Sequence, residues 1–191
     1  MSSSKVNSIA ILTRIVNVVA TAALDRSVDL ESLAKRFPEV VSYDPDLYFA
    51  AYFKSKGMKG KVSIFSSGKM ISVGTKTIED AKRDLAHVSE TVENAGLARL
   101  KDEPKVQNIV ATADLGVRPD LERIMENIHL WEGAKAIYEP EQFPGVIIQF
   151  PLSNEATATI LLFSSRKLVC VGLKRREDIQ AAIERLEPLL R

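Results

Sequence analysis

The feature that most constrains this chain is an internal repeat. The segment Ile15–Ala22, IVNVVATA, returns almost letter for letter as Val106–Ala113, VQNIVATA, 91 positions later. Further matches follow in the same order, among them Phe65-Ser66-Ser67 with Phe163-Ser164-Ser165. A duplicated unit buries its core by joining its copy. We therefore expect one pseudo-symmetric domain made of repeat 1 (residues 14–97) and repeat 2 (residues 105–191), preceded by an N-terminal tail (residues 1–13).

Length and composition add a few exclusions. With 191 residues, of which 46% are hydrophobic, the chain can form one domain with a substantial core. A single cysteine, Cys170, supports neither a disulfide framework nor a cysteine-based metal site. No apolar run approaches the roughly 18 residues of a membrane span, and the first residues lack the apolar segment of a secretory signal. We expect a soluble cytoplasmic protein that carries no metal or cofactor.

The charges are unevenly distributed although the net charge is only +1. Between Lys54 and Lys76 there are six lysines and no acidic residue, and between Phe143 and Arg176 five basic residues accompany a single acid, Glu155. Lysines that protect a strand edge from aggregation would explain such a bias in one copy. Its presence in both copies favours a surface that faces a polyanion.

Each half has the same predicted order of elements: a strand, a helix, at least three strands and a second helix. Period-two alternation and turn residues predict the strands, and capping residues such as Asp29 and Thr77 predict helix starts. The predicted strands are 15–22, 48–54, 61–66, 69–76, 106–113, 145–150, 157–164 and 167–174; the predicted helices are 29–36, 77–95, 119–130 and 176–190. The fold class is therefore α+β, with an antiparallel sheet of about ten strands and four helices.

One face of that sheet is predicted to lack a cover. In repeat 1 the face that carries Asn17 is apolar with a few donors and a lysine, and repeat 2 has the same pattern. Such a face needs a partner. A sandwich in which a second layer covers it is the alternative, but four helices cannot easily cover both faces of about ten strands.

The motifs NVVATA, QNIVATADLG, YEPEQFPG, IFSSGKM and LLFSSRKL resemble the TATA-box-binding protein family. The resemblance runs from about Arg14 to Leu190, through both repeats in order, and the short N-terminus is similar to that of the archaeal members. It implies a saddle, with one curved antiparallel sheet seated on DNA and four helices on the convex side. It also implies a general transcription initiation factor that binds and bends A·T-rich promoter DNA, within the nucleoid of an archaeal cell.

The resemblance further assigns DNA-contacting residues. Minor-groove proteins of this kind insert stiff apolar side chains between base steps, and by resemblance these wedges are Phe65 with Tyr48 and Phe163 with Phe143. Asn17 and Asn108 would donate to the acceptors of A·T pairs. The groove floor would be contacted by Val19, Val110, Ile71, Val169 and Leu161. Thr21 and Thr112 are either groove contacts or only strand formers. Lys54, Lys69, Arg166 and Lys167, with Ser67 and Ser165, suit phosphates.

Protein partners also follow from the resemblance. Glu139 and Glu141 match the family's loop that contacts transcription factor B, although a solvated acidic turn would have the same composition. RNA polymerase is the further partner that the family implies. Without DNA, a homodimer and a monomer are both open as states of the free protein.

Several positions depart from the family pattern. Val73 and Val171 stand where the family usually carries threonines that hydrogen-bond to bases, and Gln149 replaces a phosphate-binding arginine. The remaining departures are Arg166 for a glycine, Ser63 for a leucine, Tyr48 for a phenylalanine and Phe49 for an alanine. They bring sequence discrimination into question and allow a diverged paralogue with altered promoter preference.

Two other function classes compete with the leading one. An interaction module would use the face for a regulatory protein instead of DNA. An enzyme would need a nucleophile with a base, yet His87, His129 and Cys170 are not arranged in sequence to form one. Gly68-Lys69 also lacks the spacing of a phosphate loop.

Overall fold

The repeated stretch forms a strand in both places, β1 at Leu12–Ala23 and β6 at Lys105–Asp114. The computed structural model describes residues 11–154 and 156–190. Their contacts separate into two compact units. The N-terminal unit is Ile15–Ile109, and the C-terminal unit contains the rest of the described chain.

Five strands of the N-terminal unit follow the order β2-β3-β4-β5-β1, and every strand pair recorded within it is antiparallel. Two helices accompany them. After β1 come α1 (Leu30–Arg36), β2 (Val41–Ser42), β3 (Ala50–Phe53), β4 (Lys61–Phe65), β5 (Lys69–Thr75) and α2 (Ile78–Asn94).

Side-chain caps start both helices of this unit. Asp29 precedes α1, and its carboxylate accepts hydrogen bonds from the backbone N–H groups of Glu31 and Ser32. Thr77 precedes α2, and its hydroxyl accepts one from Asp80. Each cap satisfies donors that a helix leaves unpaired in its first turn. The helix starts predicted from these two residues are correct.

One face of the N-terminal sheet is buried. Val18 and Ala20 on β1 and Met70 on β5 are fully buried, as are Leu85 and Val88 on α2. Helix α2 packs on β5 and β4. Successive side chains of a strand point to opposite faces. The residues that alternate with these buried ones along β1 and β5 therefore lie on the other face of the sheet.

The C-terminal unit repeats this arrangement, with the strand order β6-β10-β9-β8-β7. Its buried face carries Ile148, Ile160, Leu162 and Cys170, and α4 packs on β10 and β9. After β6 come α3 (Leu121–Asn127), β7 (Lys135–Ile137), β8 (Gly145–Pro151), β9 (Thr157–Phe163), β10 (Lys167–Leu173) and α4 (Arg176–Leu186), with short 3₁₀ turns at Ile128–Leu130 and Glu187–Leu190.

The predicted fold class is confirmed: the protein is α+β, and residues 11–154 and 156–190 form an open antiparallel sheet of ten strands and four α-helices. The alternative, a sandwich whose second layer covers the face that carries Asn17, is wrong. Side chains along that face, including Val19, Ile71 and Val73, remain partly exposed.

Some predicted boundaries were wrong. The strand predicted at 48–54 is shorter, because the backbone N–H of Tyr48 donates to the carbonyl of Asp44 and keeps Tyr48 in a turn. Leu12 belongs to β1 and not to a tail, whereas residues 1–10 of the predicted tail lie outside the described residues. The helix expected from Pro119 begins at Leu121. Strands β2 and β7 were missed, since two or three residues carry no periodic signal.

Asp84 on α2 joins the helix to the loop before β4. Its side chain is almost completely buried, and its two carboxylate oxygens accept the backbone N–H groups of Gly60 at 2.6 Å and Lys59 at 3.2 Å. A side chain at Gly60 would collide with the Val73 carbonyl and the Thr75 methyl group. The loop therefore approaches the sheet closely and depends on this carboxylate.

We expect Asp84→Ala to lower the free energy of unfolding by about 1–3 kcal/mol, because a buried N–H group loses its acceptor. Chemical denaturation measures this change. Glu90→Ala removes an exposed acid from the same helix and serves as the control, with an expected change within about 0.5 kcal/mol. Equal effects of the two substitutions would contradict the structural role of Asp84.

Candidate nucleic-acid interface

The partly exposed sheet face of the N-terminal unit is hereafter called the open face, and the C-terminal unit has its equivalent. In the N-terminal unit, Thr21 on β1 is opposite Ile71 on β5, which is opposite Ser63 on β4. Val73 is opposite Lys61. These pairings place the predicted residues Thr21, Ile71 and Val73 on one face, as the alternation predicted.

Polar side chains of the open face are partly engaged by the protein itself. The Oδ1 atom of Asn17 accepts the backbone N–H of Gly74 at 2.8 Å, which orients the amide. The Thr21 hydroxyl accepts Nε2 of Gln107 at 2.8 Å. Gln107 was not among the predicted residues, since its parity alone gave no reason to place it beside Thr21.

An aromatic cluster lies beside the β4–β5 hairpin. The ring centroid of Phe65 lies 6.4 Å from that of Tyr48 and 5.6 Å from that of Phe49, and Tyr48 stacks on Tyr52 at 5.5 Å. The structure thus brings Tyr48 and Phe65 together. It also adds Phe49, which is 68% exposed and was noted in the sequence only as a departure from the family.

The C-terminal unit has a simpler pair. Phe143 and Phe163 meet edge to face, with centroids 5.5 Å apart. Gly145 is opposite Phe163, and a Cβ there would lie 3.0 Å from the ring. The missing side chain makes room for the ring. The preceding turn positions Phe143, because the carbonyl of Glu139 accepts its N–H at 2.9 Å.

An apolar row crosses the open face of the C-terminal unit. Val169 is opposite Leu161, Leu161 is opposite Ile147, and Ile147 is opposite Ile137, which is 58% exposed. Ile147 and Ile137 were not predicted as site residues, although strand parity could have found Ile147. Asn108, Val110 and Thr112 are partly exposed along β6.

A second row of the same face contains Val171, Thr159, Gln149 and Lys135, each opposite the next. Val171 and Gln149 were predicted from their positions. Thr159 is opposite Val171, where the sequence lacks the threonine expected by resemblance. Thr159 was not predicted, because its register with Val171 and Gln149 exists only in the folded sheet.

The predicted cations do not all have the same surroundings. Lys69 begins β5, opposite Ala23. Lys54 instead donates from Nζ to the backbone carbonyls of Met58 and Gly60 and so ties down the loop before β4. The ammonium of Lys61, which was not predicted, lies 4.0 Å from the centroid of the Tyr52 ring. Lys54 therefore differs from the other predicted phosphate ligands, because its ammonium group is bound to the backbone of its own loop.

In the C-terminal unit the two cations of the β9–β10 hairpin share one carboxylate. Oδ2 of Asp114 lies 2.7 Å from Nζ of Lys167 and 3.6 Å from a guanidinium nitrogen of Arg166. The hydrogen bond from Lys167 is the main cause of a lowered pKa at Asp114, and the Gly116 N–H adds to it. Asp114 was not predicted, since an acidic residue does not match the basic pattern from which the cations were predicted.

The same hairpin turn occurs in both repeats with different residues. Gly68 has φ +85°, and Arg166 has φ 74° at the matching position. The N–H of Leu24 donates to the carbonyl of Gly68, and the N–H of Leu115 donates to that of Arg166, both at 2.9 Å. Ser67 and Ser165, which precede these residues, are exposed. The two turns therefore have equivalent backbones.

Other candidate chemistry is limited. Glu139 and Glu141 are exposed in the turn between β7 and β8.

Burial raises the pKa of the Cys170 thiol to about 11, which makes it a poor nucleophile. Within residues 11–154 and 156–190, no group of three or more His, Cys, Asp or Glu side chains could hold a metal ion. The helices in that part of the chain are too short or too polar to cross a membrane.

Comparison with known proteins identifies the class. A family model described as transcription factor TFIID, or TATA-binding protein, matches residues 13–95 and 103–191. A TATA-box-binding protein of Archaeoglobus fulgidus is 35% identical over 185 residues, covering 93% of this chain and 94% of the relative. One of Sulfolobus acidocaldarius is 34% identical over 180 residues, covering 92% and 85%.

The structural comparison agrees. The solved structure of Methanococcus jannaschii TBP matches with a TM-score of 0.72 and 33% identity, covering 93% of this chain and 97% of that one. These matches define a class of DNA-binding transcription factors that are not enzymes. The chain belongs to the TATA-box-binding protein family, and its similarity to archaeal members confirms the resemblance found in the sequence.

The two hairpin turns predict different responses to the same substitution. We expect Gly68→Ala to lower the free energy of unfolding by about 2 kcal/mol, because left-handed backbone costs a side chain about 1–2 kcal/mol and the new Cβ would collide with the carbonyl of Arg26. Arg166→Ala is the matched control, since that turn already accepts a Cβ, and should change stability by about 0.5 kcal/mol or less. Thermal unfolding of both variants measures these changes. A larger loss of stability from Arg166→Ala than from Gly68→Ala would contradict the equivalence of the two turn backbones.

Proposed function

We propose that the protein binds the minor groove of A·T-rich promoter DNA and bends it through its open faces. The observation that carries the proposal is the recurrence, in each repeat, of an aromatic pair beside a basic hairpin at the end of a partly exposed apolar strand face. Membership of a family whose relatives are named for binding the TATA box supports the same function.

The rings provide the bending step. Phe65 and Phe163 are partly exposed, and each is buttressed by a second ring, Tyr48 or Phe143. A stiff apolar ring held at a fixed angle can enter between two base pairs and unstack them, which kinks the duplex. In repeat 1, Phe49 adds a third ring to the surface offered to the bases.

The apolar rows provide the selectivity for A·T pairs. Val19, Val110, Ile71, Val169 and Leu161 present methyl groups to the groove floor, where the guanine amino group would be left without a partner. Asn17 uses Oδ1 within the protein, so its amide nitrogen is the group that donates to a base acceptor. We assign Asn108 the same role in repeat 2. Thr21 and Thr112 lie on the same face, and we include them as groove contacts.

Phosphate contacts provide affinity without sequence information. We assign this role to Lys69, Arg166 and Lys167, with the hydroxyls of Ser67 and Ser165. Lys54 holds its own loop through two backbone carbonyls, so we propose that it supports the site indirectly.

Recruitment is the second half of the proposed function. We propose that the exposed turn carrying Glu139 and Glu141 binds transcription factor B, and that the complex then recruits RNA polymerase. The repeats would act as one domain with the boundaries 14–97 and 105–191. In the absence of DNA the apolar open faces would favour a homodimer. We place this activity in the cytoplasm, at the nucleoid.

A diverged regulatory module is the second candidate. Val73 and Val171 lack the hydroxyls expected by resemblance, and Gln149 faces Lys135 instead of contributing a cation of its own. These features favour weaker or altered base discrimination. Affinity capture from lysate with and without nuclease separates the candidates. Association of transcription factor B only in the presence of promoter DNA supports the initiation factor, and association that persists after nuclease treatment supports the module.

We expect Phe163→Ala to reduce the DNA bend angle and to weaken binding to a TATA duplex by about 10- to 100-fold, since the stacking of one aromatic ring on a base contributes about 1–3 kcal/mol. Fluorescence energy transfer across the duplex measures the bend, and a gel-shift titration measures affinity. Binding of wild-type protein to a duplex that remains straight would contradict the wedge role.

We expect Lys69→Ala to weaken binding to TATA and scrambled duplexes by the same factor, and to reduce the slope of log K against log salt by about 0.9. Lys82→Ala, which removes an exposed lysine from α2, is the control and should leave both quantities unchanged. If wild-type protein bound both duplexes equally and weakly, the proposed sequence recognition would be wrong.

A further inference from the structure

The strand beside the equivalent hairpin carries an acidic residue in repeat 2 but not in repeat 1. Leu24 and Leu115 make the same backbone hydrogen bond to their hairpins, so the residues before them, Ala23 and Asp114, are in matching positions. Ala23 is opposite Lys69 in the strand register. Asp114 instead binds Lys167. The repeat 2 hairpin therefore has an acid where repeat 1 has a methyl group.

The carboxylate of Asp114 is positioned before any ligand arrives. Its Oδ1 accepts the backbone N–H of Gly116 at 3.0 Å, while Oδ2 faces Lys167 and Arg166. All three charged side chains are partly exposed. A carboxylate held between two cations binds the same donors that a phosphate oxygen would need, because both are anionic acceptors of charge-assisted hydrogen bonds.

We infer that Asp114 competes with the DNA backbone for Lys167 and Arg166, so that repeat 2 holds phosphate less firmly than repeat 1. This inference rests on the proposed DNA-binding function and adds a residue that tunes it. Arg166 supplies an extra cation where repeat 1 has Gly68, and Asp114 offsets that gain until a phosphate displaces it. The hairpins of the two repeats then differ in affinity and salt response although their backbones match.

The competition has a defined salt signature. When phosphate takes Lys167, Asp114 is left with an exposed negative charge and takes up a cation from solution. This uptake cancels part of the counterion release that accompanies each phosphate contact. Removal of the carboxylate should therefore both strengthen binding and steepen its dependence on salt.

The test is a gel-shift titration of Asp114→Asn on a TATA duplex at several salt concentrations. We expect affinity to rise by about two- to fivefold, as for the loss of an exposed ion pair, and the salt slope to steepen by up to about 0.9. Asparagine keeps the oxygen that accepts the Gly116 N–H, so the fold should persist. Asp114→Ser, which can also accept that bond, is the second variant if the first is unstable.

A double-variant background separates competition from plain charge repulsion. In Arg166→Ala/Lys167→Ala protein, Asp114→Asn should give no gain, because the cations that it releases are absent. An equal gain in both backgrounds would assign the effect to repulsion between Asp114 and DNA and would overturn the inference. An unchanged affinity of Asp114→Asn in the wild-type background would also overturn it.

Matched lysine substitutions provide an independent readout. Lys69→Ala should weaken binding more than Lys167→Ala, and the difference should disappear when both are made in the Asp114→Asn background. Equal effects in the wild-type background would contradict the inference. The proposed function has its own failure: wild-type protein that neither prefers nor bends the TATA duplex would refute it. If wild-type protein binds and bends the duplex but Asp114→Asn changes nothing, only the competition is refuted.

Discussion

Both units depend on the alternation of side chains along their strands. In β1, Val18, Ala20 and Ala22 point to the buried face, so Asn17, Val19 and Thr21 must point away from it. A slip of one residue would exchange the two sets and bury an amide and a hydroxyl. The burial of one face by α2 therefore determines which residues the other face can offer to a ligand.

The open faces combine two properties that stability alone does not require. Apolar side chains such as Ile71 and Val169 remain partly exposed, although burial would stabilise the fold. The rings of Phe65 and Phe163 lie beside them, and each contacts a second ring. An exposed apolar surface of this kind is typical of a binding site, and the relatives of this family are named for binding the TATA box.

Duplication preserved the backbone of the repeats more closely than their side chains. The hairpin turns have the same left-handed residue and the same bond to the preceding strand segment, yet one carries Gly68 and the other Arg166. Left-handed backbone is unfavourable for arginine, so a compensating role at this position is expected. Asp114 adds a second difference, because Ala23 is at the matching position of repeat 1. The arrangement of charges around the hairpin therefore differs between the two repeats.

Local patterns in the sequence predicted eight of the ten strands of the described residues, the helix starts after Asp29 and Thr77, and the division of side chains between faces, because each depends on residues a few positions apart. The motifs of both repeats also indicated the family. Tertiary structure alone decided that Phe49 joins the rings, that Lys54 turns to its own loop and that Asp114 lies between two cations. Those contacts join residues distant in sequence or in irregular turns, where no periodicity constrains the direction of a side chain.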